Sequence, residues 1–374
     1  MFQILNHKNF SKELEIKWNL IENLNSCYVF QSYDWLKNWH DNIGQNQIND
    51  LNILEIYIDN YTLMIAPLCF YSCDKMKILR YIGEEHSDYN VPLINFEIID
   101  KKNINYKNLF NFLKNSLPKN DIVSLKKQPE YYSNNKKNNF LQISRNKISN
   151  LSEYYIFPKN YDEIFSDISK KKQFNEIKRQ IKKLEELGDF KFIISNNNNE
   201  KKSIINELIN MKSKKFSDTF SIKKFNDKSY INFYYGFINF NSKKILPHFS
   251  ALYIDNLIIA SHFGFVFKNR FYYLIPAYKN LKKYNRFSPG KILMQKLILW
   301  SYKNNLSIFD LTIGRENYKK KWSNKKMNIY DSYIISSFMG YIYYIYVFII
   351  NIVKKNKILK NFLLKIVNYY KNYN

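Results

Sequence analysis

The most informative segment for the architecture of this chain is FYYLIPAYKNLKKYNRFSPGKILMQKLILWSYKNNLSIFDLTIGRENYKKKW, residues 271–322. Its first eight residues, 271–278, are aromatic or aliphatic with few exceptions and are long enough for a strand. Residues 306–313 form a second apolar run, which Gly314 closes. The pattern predicts two buried strands, one at each end of the segment.

A helix is predicted between these strands. Ser288 is a residue type favoured at a helix N-cap, and Pro289 suits the first helical position. The apolar side chains that follow lie on one helical face, at i, i+4 and i+7: Leu293, Leu297 and Trp300. A strand, a helix and a strand in this order predict a βαβ unit, in which the two strands are parallel and the crossover is right-handed.

The start of this helix is a candidate site for a phosphorylated ligand. The positive end of the helix dipole favours an anion, and Gly290 lets a phosphate approach the backbone. Arg286 and Lys291 flank the turn, and Ser288 precedes it. The alternative is that Ser-Pro-Gly is only a good helix start, since capping needs no ligand.

Length and composition indicate a globular chain of about two domains. The chain has 374 residues, of which 45% are hydrophobic. Its net charge of +26 would ordinarily indicate nucleic acid or an anionic membrane as a partner. However, Lys, Asn, Ile, Tyr and Phe are enriched together, as a genome rich in A and T would produce. A basic groove for a phosphorylated donor is compatible with this charge.

The cysteines and histidines predict neither disulfides nor a metal centre. The three cysteines, Cys27, Cys69 and Cys73, have no metal-ligand spacing with the five histidines. The first residues lack a charged segment followed by a long apolar one, so no signal peptide is predicted. We expect a cytoplasmic protein without a metal cofactor.

Residues 332–353 form an uncharged run long enough to span a membrane. Ser336, Ser337, Gly340 and many tyrosines within it favour a different structure, a strand over 330–338 followed by an amphipathic helix. Because Lys354, Lys355 and Lys357 follow, that helix suggests peripheral association with the inner face of a membrane.

Three domains or segments are predicted: 1–150, 151–330, and a C-terminal strand and helix over 331–374. In the first, Trp35 and Trp39 share a face of a short helix capped by Ser32, a pattern typical of core packing. A hairpin follows, with strands over 51–58 and 61–70. Residues 80–90, RYIGEEHSDYN, are polar and predict either a solvated loop or one wall of a cleft.

The first domain continues with a helix over 101–116 and a strand over 122–125, and a polar connection over 131–150 ends it. The second begins with a basic amphipathic helix within 161–187, whose basic face either is solvated or binds an anionic partner. A strand over 190–194 and helices over 200–215 and 227–240 follow. Three antiparallel strands, 248–254, 257–267 and 271–278, then lead into the βαβ unit.

Six short segments carry a family resemblance when taken in order: residues 30–44, 170–188, 260–264, 276–278, 288–293 and 310–322. Together they resemble the GCN-five-related N-acetyltransferases (GNAT). More specifically, they resemble the CelD-like or BioF-like acetyltransferases of cellulose and exopolysaccharide synthesis. The resemblance implies an α/β fold of two GNAT-like lobes in tandem, each a mixed sheet with flanking helices, the N-terminal lobe being degenerate.

The resemblance also implies acetyl-CoA or another acyl-CoA as donor. Its pantetheine would lie between the strands over 271–278 and 306–313, and its pyrophosphate would contact Arg286, Ser288, Gly290 and Lys291. The family's common pyrophosphate loop, Gln/Arg-x-x-Gly-x-Gly/Ala, is only partly present here. The related peptidoglycan-bridge aminoacyltransferases, which have two such domains in tandem, take their acyl group from aminoacyl-tRNA, so tRNA is the alternative partner.

Acyl transfer to an amine needs a base, donors for an oxyanion and an acid for the leaving group. The sequence contains no G-x-S-x-G motif and no cysteine near residues 271–322, so we expect direct transfer. The catalytic candidates are Asp310 within its strand, His262 beside small residues, Glu316 as base, Tyr318 as acid, and Lys319 in the loop after the strand. Asp310 and His262 could instead be structural, in a salt bridge and in the core.

The sequence therefore predicts an acyltransferase that moves an acyl group, most simply acetyl, to an amine or hydroxyl of a sugar or cell-envelope precursor. The alternatives are a tRNA-dependent aminoacyltransferase and a non-catalytic component of the polysaccharide machinery. The acceptor itself is not predicted, because cleft-lining loops determine that choice.

Overall fold

A computed structural model of the chain describes residues 1–24, 27–72, 76–165, 168–215, 227–240, 242 and 244–355. Within these ranges, thirteen strands form one mixed sheet with helices on its faces. The predicted α/β class is confirmed. No helix among the described residues has the length and apolar character needed to cross a membrane.

The strands and helices of the first half are β1 (Gln3–His7), α1 (Lys12–Leu24), α2 (Tyr33–Trp39), β2 (Ile48–Ile58), β3 (Tyr61–Tyr71), β4 (Ile78–Tyr81), β5 (Leu93–Ile94), α3 (Phe96–Lys101), α4 (Tyr106–Asn115), β6 (Ile122–Pro129) and β7 (Arg145–Ile156). A π-helix, His40–Gly44, extends α2 toward β2.

Those of the second half are α5 (Ile168–Glu185), β8 (Phe190–Ile194), α6 (Asn198–Lys215), α7 (Lys228–Tyr235), β9 (Ile245–Ile254), β10 (Leu257–Phe267), β11 (Arg270–Tyr278), α8 (Lys282–Asn285), α9 (Pro289–Lys303), β12 (Ile308–Ile313), α10 (Asn317–Trp322), β13 (Lys325–Ile335) and α11 (Phe338–Lys355).

The sheet joins the two halves of the chain without a break. Its strand order is β1-β2-β3-β4-β6-β13-β7-β12-β11-β10-β9-β8, and β5 pairs with β3. Although β13 is the last of the described strands in chain order, it lies between β6 and β7. The boundaries predicted at residues 150 and 330 therefore fall inside β7 and β13. Backbone hydrogen bonds between neighbouring strands continue from one lobe into the other.

Aromatic side chains pack the two lobes together on one face of the sheet. Trp35 of α2 is buried and contacts Phe233 of α7 and Phe265 of β10, with ring centroids 5.2 and 5.4 Å apart. Its helix begins as predicted, because the Ser32 hydroxyl accepts a hydrogen bond from the Trp35 N–H. Trp39 is also buried, so the predicted packing role of both tryptophans is confirmed.

Three predicted elements were wrong in their limits. The helix predicted over 101–116 is two helices, α3 and α4, because Asn105 caps a new helix by accepting from the N–H groups of Lys107 and Asn108. The strand predicted over 122–125 continues to Pro129. The polar connection predicted over 131–150 already contains the start of β7, whose polar residues pair with β13.

Candidate active site

The two strands of the predicted βαβ unit diverge after a short paired region. β11 and β12 are parallel, as predicted, and their last paired residues are Tyr272 and Asp310. Both strands continue beyond this point, β11 to Tyr278 and β12 to Ile313. Within the described residues, the side of β11 that faces this gap therefore has no strand partner after Tyr272. The result is a V-shaped opening in the sheet.

The backbone of β12 changes direction where the opening begins. Its pairing with β7 is irregular between Asp310 and Ile313, and Thr312 has a φ of 58°. A β-branched residue rarely adopts this left-handed conformation, and such strain is concentrated at functional sites. The Asp310 side chain supports it, because its Oδ1 accepts a hydrogen bond of 2.8 Å from the Thr312 N–H.

Asp310 is held in a buried ion pair. Its Oδ2 lies 2.7 Å from Nη1 of Arg270, and the side chains are 0% and 7% exposed. Its Oδ1 also accepts a 2.8 Å hydrogen bond from the Tyr89 hydroxyl. The Arg270 guanidinium in turn lies over the Tyr28 ring, 5.3 Å from its centroid. Because both carboxylate oxygens have partners, the geometry suits a positioning residue rather than a free base.

The polar loop between β4 and β5 reaches the same strand end. The Asp88 carboxylate is hydrogen bonded to the Thr312 side chain. Burial raises the pKa of Asp88, and the nearby charges of Lys127 and Lys319 only partly oppose this effect. Lys127 also holds the loop in place, since its Nζ donates to the Ser87 carbonyl at 2.8 Å. A carboxylate with a raised pKa at a strand end is a stronger proton acceptor than an ordinary aspartate.

Glu316 and Lys319 close the end of β12. They lie on the N-cap and first turn of α10, and not in an extended loop as predicted. The buried Lys319 Nζ donates to the Ile313 carbonyl at 2.7 Å and lies 3.3 Å from Oε2 of Glu316, which is largely exposed. A Cβ atom on Gly314 would clash with both of these side-chain ends. Glycine at residue 314 therefore leaves room for the ends of both side chains.

Tyr318 lies beside the opening on the same helix. Burial, followed by the charge of Glu316, raises the pKa of its phenol to about 12. Its hydroxyl is close enough to Tyr273 of β11 to influence the pKa of that residue. The group stays protonated at neutral pH, as a proton donor must.

His262 lies in the core, on β10. Its ring is 0% exposed and stacks on Tyr273 at 4.6 Å, and neither ring nitrogen has a hydrogen-bond partner. The neighbouring His248 is similarly enclosed, 6.0 Å away between ring centroids. Burial lowers the pKa of both rings, that of His248 to about 3. This enclosure favours the structural interpretation of His262.

The predicted donor-binding residues lie at the start of α9. Ser288 occupies the N-cap position, but its side chain makes no capping hydrogen bond and its φ is 54°. The predicted capping role of its hydroxyl was therefore wrong, whereas the predicted helix start is confirmed. Arg286 and Lys291 are exposed on either side. A Cβ atom on Gly290 would lie 3.3 Å from the Tyr278 ring, at the far end of β11.

A cleft of about 680 Å³ adjoins this helix start. Tyr278 and Lys279 line it on one side and Met211 of α6 on the other. The helix start, the cleft and the V-shaped opening thus follow one another along the second half of β11.

The described cysteines are unsuited to nucleophilic catalysis. Cys27 and Cys69 are buried and form no disulfide with a described cysteine, and burial raises the pKa of Cys27 to about 12. Cys73 lies outside the described residues. Among the described residues, no group of three or more His, Cys, Asp or Glu side chains is arranged to hold a metal ion.

The structure brings four of the predicted catalytic residues to one strand end, and His262 lies apart from them. The four are Asp310, Glu316, Tyr318 and Lys319. The sequence analysis did not name Asp88 or Arg270 as site residues. It did propose the polar segment that contains Asp88, residues 80–90, as one possible wall of a cleft. Nothing in the sequence distinguished Arg270 from an ordinary turn residue.

Comparison with known proteins supports the fold. Residues 171–320 match the family model described as an acetyltransferase (GNAT) domain. The structure is similar to that of FemX, with a TM-score of 0.54 and 12% identity over 87% of this chain and 96% of the FemX chain. It is also similar to a conserved protein of unknown function from Bacteroides thetaiotaomicron, with a TM-score of 0.50 and 10% identity over 89% of this chain and 100% of that one. No curated protein matches the sequence.

Residues 171–320, the part of the chain that matches the acetyltransferase (GNAT) domain, contain the V-shaped opening and the start of α9. This match indicates that the protein is an acyltransferase.

Proposed function

We propose that the protein transfers an acyl group, most simply acetyl, directly from a coenzyme A thioester to an amine or hydroxyl. The divergence of β11 and β12 after Tyr272 and Asp310 carries this proposal. The unpaired backbone of β11 can hydrogen bond an extended pantetheine arm as an added strand would. The donor's phosphates would then lie at the start of α9, near Arg286, Gly290 and Lys291.

The acceptor nucleophile attacks the thioester carbonyl from the side of Asp88. Asp88 takes the proton from the attacking nitrogen or oxygen, and a tetrahedral intermediate forms. When the C–S bond breaks, the departing thiolate takes a proton from Tyr318, whose raised pKa keeps it protonated until that moment. Asp310 and Arg270 position Thr312, and through it Asp88, without contacting the substrate.

The acceptor class follows from the family resemblance. The chain resembles CelD-like and BioF-like acetyltransferases, so the proposed acceptor is a sugar or another cell-envelope precursor. Asp88 lies on the first lobe and is hydrogen bonded to Thr312 on the second, so an acceptor beside this contact would touch both lobes. Such a shared site suits an acceptor larger than a single amino acid.

A tRNA-dependent aminoacyl transfer is the second candidate. The observation that favours it is the start of α9, where a left-handed Ser288 and Pro289 replace the common pyrophosphate loop. The strongly basic α5 would suit a polyanionic donor. In this case the same strand end would carry the reaction, with a ribose oxygen as the leaving group.

Release of coenzyme A thiol from acetyl-CoA in the presence of envelope sugar precursors tests the proposal. We expect thiol release that requires both the acceptor and Asp88. Transfer of a labelled amino acid from aminoacyl-tRNA, with no thiol release, would instead establish the second candidate.

A further inference from the structure

The C-terminal helix α11 exposes a large apolar surface. The large apolar side chains that are at least 40% exposed are Phe338, Met339, Tyr341, Ile342, Ile345, Tyr346, Phe348, Ile349 and Ile352. Soluble proteins rarely expose so many on one element, and such patches mark interaction sites. This surface, called here the α11 apolar surface, needs a partner that is itself apolar.

The opposite side of α11 is firmly attached to the sheet. The Ser337 hydroxyl donates to Oδ1 of Asp121 at 2.7 Å, and the Tyr344 ring lies 5.3 Å from that of Tyr333. Gly340 permits this close approach, because a Cβ atom there would clash with the Asp121 carbonyl. The helix is therefore fixed in orientation, with the α11 apolar surface directed away from the sheet.

Positively charged side chains lie near this surface. Lys147 places its Nζ 5.8 Å from the centroid of the Phe348 ring. Beside the start of the helix, the pKa of Asp121 is lowered first by hydrogen bonds from the Ser337 hydroxyl and the Lys77 backbone, and then by the charges of Lys77 and Lys119. The helix ends at Lys354 and Lys355, and the sequence from 332 to 374 contains no acidic residue.

We infer that the α11 apolar surface docks onto the surface of an anionic lipid bilayer. A helix with exposed aromatic and aliphatic side chains and flanking lysines is suited to lie in the interface, where apolar side chains enter the acyl boundary and cations meet lipid phosphates. A second protein of ordinary composition would satisfy the apolar groups but not the surrounding positive charge. This inference is independent of the proposed acyl transfer, since it concerns binding alone.

Sedimentation of the full-length protein with vesicles tests this inference. One set of vesicles contains phosphatidylcholine and phosphatidylglycerol in equal amounts, and the other phosphatidylcholine alone. We expect binding to the anionic set that weakens as salt is raised. Replacing Phe348 and Ile349 by Glu should lower the partition coefficient at least about tenfold, because both apolar side chains are lost from the interface.

The matched control is the double change Ile16→Glu and Leu20→Glu on α1, whose side chains are as exposed as those on α11. It should leave vesicle binding unchanged, and melting curves of all variants should coincide. Equal binding to both vesicle types, or unchanged binding of the Phe348/Ile349 variant, would overturn the inference. A third outcome would also overturn it: light scattering shows that the wild type is a dimer that does not bind vesicles, and the Phe348/Ile349 variant is a monomer. A second copy of the chain would then cover the surface.

Discussion

Asp310 and Arg270 form a buried ion pair, 2.7 Å between Oδ2 and Nη1, at the residue where β11 and β12 separate. Arg270 is the first residue of β11, and Asp310 is the last residue of β12 that pairs with it. Because Asp310 also bonds the N–H of Thr312, the pair fixes the left-handed turn that directs Thr312 toward Asp88. The pair thus connects the opening of the sheet to the proposed base.

Breaking this pair should destabilise the protein. Arg270→Met leaves a buried carboxylate without its cation, which typically costs about 3 to 5 kcal/mol of unfolding free energy. We expect a large fall in denaturation midpoint together with a loss of activity. Chemical denaturation measures the change in midpoint. The charge-conserving substitution Arg270→Lys should lose less stability than Arg270→Met. A midpoint equal to that of the wild type would show that the pair does not hold this strand end.

Asp88→Asn should remove catalysis while leaving the fold intact. A general base supplies a factor of roughly 10² to 10⁴, so turnover should fall by that amount with little change in donor affinity. Steady-state kinetics and a melting curve measure both quantities. The control is Glu85→Gln in the same loop, whose side chain is exposed. If both changes affect turnover equally, the base has been wrongly assigned.

The pH dependence of kcat/KM should also report Asp88. Only the carboxylate form accepts a proton, so activity should rise with pH through the pKa of Asp88. Since burial raises the pKa of Asp88, the midpoint of this rise in kcat/KM should lie above the ordinary pKa of an aspartate. Asp88→Asn should abolish this limb of the profile, and a profile unchanged by the substitution would assign the limb to another group.

Charge reversal at Arg286 should weaken donor binding. Its guanidinium is exposed, so Arg286→Glu should raise the Kd for acyl-CoA with little effect on stability. Calorimetric titration measures the Kd. Lys303→Glu, at the other end of α9, is the matched control because it changes the same charge far from the proposed phosphates. Equal effects of the two substitutions would indicate only a general electrostatic attraction.

The two buried histidines should make stability depend on pH. Burial lowers the pKa of His248 to about 3, and that of His262 also falls well below its ordinary value. In the unfolded chain a histidine binds a proton below about pH 6.5, whereas these two histidines stay neutral in the folded chain. Their contribution to the free energy of unfolding is therefore fully present above this pH and falls as the pH decreases. Below about pH 6.5, each histidine should lower the free energy of unfolding by about 1.4 kcal/mol for each pH unit.

The comparison with His262→Phe isolates this contribution. Burial raises the pKa of Glu22 to about 7, so the contribution of Glu22 to the free energy of unfolding falls as the pH rises, opposite to that of a buried histidine. This contribution is the same in both proteins and therefore cancels in the difference. We therefore expect the stability difference between wild type and His262→Phe to change between about pH 6.5 and about pH 5. A difference independent of pH would mean that the pKa of His262 is the same in the folded and the unfolded chain.

The sequence allowed much of the second lobe to be predicted, for clear physical reasons. Alternating apolar residues bounded by turn residues located β9, β10 and β11, and Pro289 located the start of α9. In contrast, the helix break at Asn105 depends on a local capping bond that competes with a continuous apolar pattern. The place of β13 between β6 and β7 depends on pairing across most of the chain, which local patterns do not reveal.

The candidate site was predictable only in part. Residues after a buried strand commonly form sites, which indicated Glu316, Tyr318 and Lys319. Asp88 joins them only because the first lobe folds against the second, and the contact with Thr312 links residues more than two hundred positions apart. The paired state of Asp310 likewise depends on Arg270, and the partner of a buried carboxylate cannot be read from its own neighbours in the sequence.

The proposed donor is tested most directly by following coenzyme A thiol release from acetyl-CoA with a panel of envelope sugar precursors, for the wild type and for Asp88→Asn. We expect acceptor-dependent thiol release by the wild type, matched by acetylated acceptor in mass spectrometry, and a loss of both in the variant. Thiol release that does not require an acceptor, or acyl transfer from aminoacyl-tRNA without consumption of any thioester, would contradict the proposed acyl transfer from coenzyme A.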